Sequence, residues 1–179
     1  RYSIQHQEIT AVASSSSTLL LVVKPQDMAS TLADLAPHIA ESTLVISFAA
    51  GKTIASIAAG LGKSNPIVRV MPNTPAQIGK GVSAISPGKN TSAADLTLAK
   101  NLLSASGIVV EVSEDDQDAV TALSGSGPAY FFSFIEAMVS AGVKLGLTNE
   151  IATQLAIGTI SGSAAMLKES GLDATTLRK

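Results

Sequence analysis

A chain of 179 residues with 46% hydrophobic and 15% charged residues is long enough for one good core or two small ones, which excludes a disordered protein. Its formal net charge of −2, with lysines and arginines scattered along the chain, provides no basic stripe and argues against a nucleic-acid partner. The absence of cysteine excludes disulfides and Cys-ligated metals, and the two histidines, His6 and His38, form no metal-spaced cluster, so no metal is expected.

From the N-terminus, short strands alternate with helices. Leu19–Val23 is a continuous apolar run that suits a strand buried on both faces. Pro25 follows at a position that fits a first helical turn, and Met28, Leu32, Leu35 and Ile39 then recur at helical spacing. Leu44–Phe48 reads as a second buried strand, ended by Ala49-Ala50-Gly51. Ile54, Ile57, Ala58 and Leu61 mark a short helix closed by Gly60 or Gly62. Ile67–Met71 is a third strand, broken by Pro72 and Pro75, and Val82–Ile85 a fourth. Thr91 or Ser92 caps a helix carrying Leu96, Ala99, Leu102 and Leu103, and Gly107 ends it before the strand Ile108–Val112. This alternation predicts βαβ units in a mainly parallel sheet.

The composition changes after Ser113. Ser113-Glu114-Asp115-Asp116 has the form of a capping box with an acidic first turn. Only helices follow, about 115–124, 128–146 and 149–169, with another beginning after Asp173. The expected organisation is an α/β domain over 1–113 and an all-helical domain over 114–179. The apolar stretch Pro128–Val143 is interrupted by Glu136 and is shorter than the ~20 residues a membrane span needs. No signal peptide is visible, so the cytoplasm is the default location. Residue 1 is Arg rather than Met, which fits a start inside a longer protein.

In an open parallel sheet, ligands bind beyond the carboxyl ends of the strands. Val22-Val23-Lys24-Pro25, Phe48-Ala49-Ala50-Gly51 and Met71-Pro72-Asn73-Thr74-Pro75 fall at those ends. Lys24 suits a phosphate or ribose, and Asn73 and Thr74 suit a cofactor amide. The same residue types also make ordinary βα turns. Ser124-Gly125-Ser126-Gly127-Pro128 precedes a long apolar helix, with Ser126 placed as N-cap and Pro128 near the first helical position. Its N–H groups suit a carboxylate, and the alternative is a flexible domain junction with a good cap. Phe131, Phe132 and Phe134 read as core or dimer contacts, and Glu136 as a residue of a solvated or inter-subunit face. No Gly-x-Gly-x-x-Gly fingerprint, Ser-His-Asp set or zinc motif is present.

Several of these segments together resemble one family. Leu123-Ser124-Gly125-Ser126-Gly127-Pro128-Ala129-Tyr130 with Gly142-Val143-Lys144-Leu145-Gly146-Leu147 is similar to the signature of pyrroline-5-carboxylate reductases. Val23-Lys24-Pro25-Gln26, Ser47-Phe48-Ala49-Ala50-Gly51 and Val68-Arg69-Val70-Met71-Pro72-Asn73-Thr74-Pro75 match that family in the same order. The resemblance implies a Rossmann domain that binds NADP or NAD, with NADPH favoured, and a helical domain that interleaves with a second subunit as a homodimer or larger homo-oligomer. By that resemblance, Val22, Val23, Lys24 and Pro25 contact the dinucleotide, and Phe48, Ala49, Ala50 and Gly51 lie beside the nicotinamide. Asn73 and Thr74 shape the nicotinamide pocket, and Ser126 and Gly127 face the imino-acid substrate.

The implied reaction is hydride transfer to the cyclic imine 1-pyrroline-5-carboxylate, giving L-proline, and no catalytic side chain is assigned. The family's first strand, glycine-rich turn and first helix would lie upstream of Arg1, and its substrate loop beyond Lys179. Its adenosine-side Asn has no clear counterpart around Glu8 to Thr10. The chain is therefore expected to be a fragment that retains the middle of the cofactor cleft. Two alternatives stand beside this expectation. One is another two-domain dehydrogenase of the β-hydroxyacid type, for which Lys144 lies late on its helix to serve as the catalytic lysine. The other is an inactive oligomerisation fragment.

Overall fold

The computed structural model describes residues 5–179 and divides the chain into two compact units, one ending at Gly127 and one running from Pro128 to Lys179. In the first unit, β1 (Thr18–Leu21), β2 (Leu44–Ser47), β3 (Ile67–Met71), β4 (Gly81–Pro87) and β5 (Gly107–Glu111) form a single sheet in the order β1-β2-β3-β4-β5. The β1/β2, β2/β3 and β4/β5 pairs are parallel and β3/β4 is antiparallel. The alternation of strands and helices predicts the parallel pairs. The reversal follows from the short link between β3 and β4, which holds only a 3-10 turn (Thr74–Ile78) where a parallel crossover needs a dozen or more residues.

Helices cover the sheet on both sides. α1 (Ile9–Ser15), α2 (Met28–Leu35) and α3 (Ile54–Leu61) bury Ala13, Met28, Leu32, Ile57 and Leu61 against Leu19, Leu21, Val45 and Ile67. On the other face, α4 (Ala93–Ser104) sets Ala99 and Leu103 against Leu44, Ile46, Val68, Val70 and Ile85. Neighbouring residues of β2 and β3 thus enter opposite cores, as in strands buried on both faces. β1, whose continuous apolar run also predicts burial on both faces, departs from that expectation. Leu19 and Leu21 are buried, but Leu20 is 49% exposed because it faces a cavity rather than a packed helix. The β1/β2 ladder ends at Leu21 and Ser47, so Val22 and Val23 lie beyond the strand, with Val22 73% exposed.

Capping decides the helix ends. Thr53 caps α3 by accepting from the Ser56 amide, and Gly62, with φ 63°, closes it. Ser92 and Asp95 form a reciprocal capping box at α4. The box expected at 113–116 does not form. Ser113 accepts from the Asp115 amide, while the Glu114 carboxylate turns away to the Ile54 amide at 2.7 Å and to Arg69 at 3.2 Å. Helix α1 has no counterpart in the sequence reading, because Ile, Thr, Val and Ser are weak helix formers. Its serines bond back to the helix, Ser14 to the Thr10 carbonyl and Ser15 to that of Ala11, each at 2.8 Å.

The segment 114–127 explains where the first unit ends. It forms a 3-10 turn (Glu114–Asp116), α5 (Gln117–Val120) and a π-helical turn (Thr121–Gly125). Arg69 and Ser86 face each other across β3 and β4, so they share one face of the sheet. Arg69 pairs there with Glu114, and Ser86 accepts from the Gln117 amide at 2.8 Å while donating to the Val112 carbonyl. Gln117 is fully buried. These bonds hold the segment on the sheet, so the first compact unit runs on to Gly127, past the composition change near 113.

The second unit is helical: α6 (Gly127–Lys144, begun one residue before the unit), α7 (Asn149–Glu169) and α8 (Ala174–Arg178). Gly146 makes the turn with φ 101°, and Thr148 caps α7 through the Ile151 amide. A Cβ at Gly142 would lie 3.1 Å from the Ala152 Cβ, so α6 and α7 approach closely through small residues. Asp173 caps α8 through the Thr176 amide at 2.7 Å. Among the described residues, no helix is long and apolar enough to cross a membrane.

Candidate functional site

A cavity of about 540 Å³ opens in the first unit at the carboxyl ends of β1 to β3, where an open α/β sheet binds ligands. Leu20, Phe48, Pro72 and Leu103 give it apolar walls, and Asn73, Thr74, Gln77 and Ser83 bring polar groups to them. Gly125 of the π-helical turn also lines it.

The predicted residues divide into two sets. Phe48, Asn73 and Thr74 meet at the cavity. Val22, Val23, Lys24 and Pro25 follow β1 at the same end of the sheet without lining it. Val23 packs against the α1–α3 core, and the Lys24 carbonyl accepts from the Asp27 amide. Ala49 is buried in that core, Ala50 is exposed, and Gly51 takes a left-handed φ of 70°. Phe48 is positioned by its amide, which donates to the Leu21 carbonyl at 3.0 Å and extends the β1/β2 pairing.

Asn73 is already engaged within the protein. Its Oδ1 accepts from the Val82 amide at 2.9 Å, and its Nδ2 donates to the Ser124 carbonyl and to Ser124 Oγ, each at 3.3 Å. The residue thus joins the end of β3 to the start of β4 and to the π-helical turn. Two glycines allow this corner to close. A Cβ at Gly81 would lie 2.7 Å from Ala76 backbone atoms, and one at Gly107 would lie 2.0 Å from the Gly81 carbonyl oxygen.

Ser126 differs from the N-cap that its sequence suggests. Its backbone is helical, with φ −85° and ψ −17°, and its amide donates to the Thr121 carbonyl at 2.8 Å. The chain therefore passes from the π-helical turn directly into α6, with Gly127 buried at its start. In the second unit Phe131, Phe132 and Phe134 are 59–60% exposed, which removes the core alternative for all three.

The strand-end rule did not point to Leu20, Gln77, Ser83, Leu103 or Gly125. Leu20 carries no distinct signal, because a residue facing a cavity reads like any other apolar strand residue. Among the described residues, no group of three His, Asp or Glu side chains is placed to hold a metal. The cavity is instead walled mainly by apolar groups, with Thr74 and Gln77 among the polar residues that line it, a lining that suits a flat, partly polar ring.

A mainly parallel sheet with helices on both faces, a crevice at its strand ends and a following helical unit define a Rossmann-type two-unit protein. Comparison with known proteins narrows this. Residues 114–179 match the family model described as pyrroline-5-carboxylate reductase dimerisation. A pyrroline-5-carboxylate reductase from Corynebacterium melassecola is 40% identical over 182 residues, covering 99% of this chain and 67% of the relative. The solved pyrroline-5-carboxylate reductase of Coxiella burnetii superposes with a TM-score of 0.90 at 36% identity, over 97% of this chain and 65% of that one. The Plasmodium falciparum pyrroline carboxylate reductase with NADP bound gives 0.90 at 35% identity, over 96% and 65%. The chain belongs to the pyrroline-5-carboxylate reductase family, and it spans about two thirds of the length of these relatives.

Proposed function

We propose that the protein carrying this chain reduces 1-pyrroline-5-carboxylate to L-proline with NADPH or NADH. The observation that carries the proposal is the cavity at the strand ends, within a fold matching a solved reductase of this family over 97% of the chain. NADPH is the favoured reductant, supported by the NADP bound to the Plasmodium relative. The β-hydroxyacid alternative draws no support from α6, where Lys144 is the last residue rather than an early one.

When bound, a reduced nicotinamide supplies a hydride to the imine carbon. A protonated ring nitrogen makes that carbon electrophilic, so the protein has no covalent nucleophile to provide. Its residues bind and orient. Phe48, Leu20 and Pro72 form apolar walls that exclude water from the ring's surroundings, and Thr74 and Gln77 offer hydrogen bonds to its carboxamide. Lys24, with Val22, Val23 and Pro25, meets the rest of the dinucleotide, and Ala49, Ala50 and Gly51 border the nicotinamide end. Ser126 and Gly127 are proposed to face the substrate. The exposed Phe131, Phe132 and Phe134 pair α6 and α7 with a second copy, giving a homodimer or a larger homo-oligomer.

The test is nicotinamide absorbance with the full-length natural protein. Oxidation of NADPH on addition of 1-pyrroline-5-carboxylate is expected, with no turnover of hydroxy acids and oxidised cofactor. Turnover of a hydroxy acid without turnover of the imine would replace the proposal with the β-hydroxyacid reading.

A further inference from the structure

Asn73 is expected to touch the cofactor, yet its amide nitrogen lies 3.3 Å from both the Ser124 carbonyl and the Ser124 Oγ, and its oxygen takes the Val82 amide. Its side chain bridges to a residue 51 positions further along the chain. The far end of that bridge is unusual. Thr121–Gly125 is π-helical, with the Ser126 amide reaching back to the Thr121 carbonyl, and such turns are rare in helices. The bridge ties this turn to the end of β3, through the Asn73 amide nitrogen on the Ser124 carbonyl and hydroxyl, at the residue just before Gly125. Gly125 in turn lines the cavity, and a Cβ there would lie 2.6 Å from the end of the Met71 side chain.

We propose that Asn73 is a positioning residue: by holding Ser124, it fixes the π-helical turn that forms the Gly125 wall of the cavity. This rests on the reductase reading of the same cavity. Displacement of a wall near reacting groups lowers the rate of the chemical step while leaving most of the cofactor's binding contacts intact.

Asn73→Asp weakens the bridge selectively, because a carboxylate still accepts from the Val82 amide and can accept from the Ser124 hydroxyl but has no hydrogen for the Ser124 carbonyl. Kinetics of the full-length protein and fluorescence titration of NADPH give the readout. The expected result is a fall in kcat of about tenfold, with cofactor Kd changed less than about threefold. Ser124→Ala, which removes one of the two acceptors, is expected to lower kcat about two- to fivefold, and it decides the matter if Asn73→Asp does not fold. Unchanged kcat in both variants would overturn the proposal, as would a loss confined to cofactor affinity, which would make Asn73 a direct contact. Failure of the reductase reading is separate, since the unmodified protein would then not reduce the imine.

Discussion

The Glu114 carboxylate lies 3.2 Å from the Arg69 guanidinium, inside a sheet position where Arg69 is only 7% exposed. The same carboxylate oxygen accepts from the Ile54 amide in the first turn of α3. One side chain thus joins β3, α3 and the segment that follows β5. Removing it leaves a guanidinium in the sheet without its ion pair, and the cost of such a stranded charge exceeds the net value of the pair. Glu114→Ala is expected to lower unfolding free energy by about 2–4 kcal/mol in urea titrations. The double variant Arg69→Met/Glu114→Leu, which removes both charges, is expected to recover most of that loss.

Gly81 and Gly107 face each other at the start of β4 and β5. A Cβ at Gly107 would sit 2.0 Å from the Gly81 carbonyl oxygen, with φ at 139°. The ladder cannot form around that overlap. Gly107→Ala is therefore expected to cost about 3–5 kcal/mol and to expose the β4 and β5 amides in hydrogen exchange. Gly62→Ala is the control: it has a left-handed φ of 63° but open space around its Cβ, and should cost only about 1–2 kcal/mol.

The parts of the fold legible in the sequence are those set by local pattern. Leu44–Phe48 and Ile67–Met71 are mostly apolar because β2 and β3 are buried on both faces, with Ser47 and Arg69 the polar exceptions, and Thr148 and Gly146 mark the turn before α7. Strand direction is not written in apolar pattern, so the reversal at β4 shows only in its short link from β3. The strand-end rule reached Phe48, Asn73 and Thr74 at the cavity, but it could not show that Asn73 is engaged by Ser124. Glu114 looks like part of a cap because its neighbours in the chain suggest one, while its true partners are 45 and 60 residues away. Long-range pairing of this kind is fixed by tertiary packing, which local spacing does not encode.

The cap of α8 sets a pH dependence. The Thr176 backbone amide, and then its side chain, bond to the Asp173 carboxylate and hold its pKa below the ordinary 3.8. A carboxyl lowered on folding contributes its stabilisation above its ordinary value and loses it as pH falls through the folded one. The α8 N-terminus should therefore stay formed at neutral pH and fray only in acid. The Thr176 amide resonance is expected to shift with a midpoint below 3.8, and Asp173→Asn should abolish that titration.

Phe131 and Phe134 lie three positions apart on α6 and so share one side of the helix, where each is 59–60% exposed. Side chains this large and apolar are the usual anchors of an interface, and the matching family model concerns dimerisation. If α6 pairs with a second copy, charges at both positions would be buried without partners. Phe131→Glu/Phe134→Glu is expected to raise the dimer Kd at least about a hundredfold, giving monomer in light scattering at micromolar concentration. Because both side chains are largely exposed, the helical circular dichroism of the variant should match the unmodified protein. Retention of the dimer would move the interface to another face of α6 and α7.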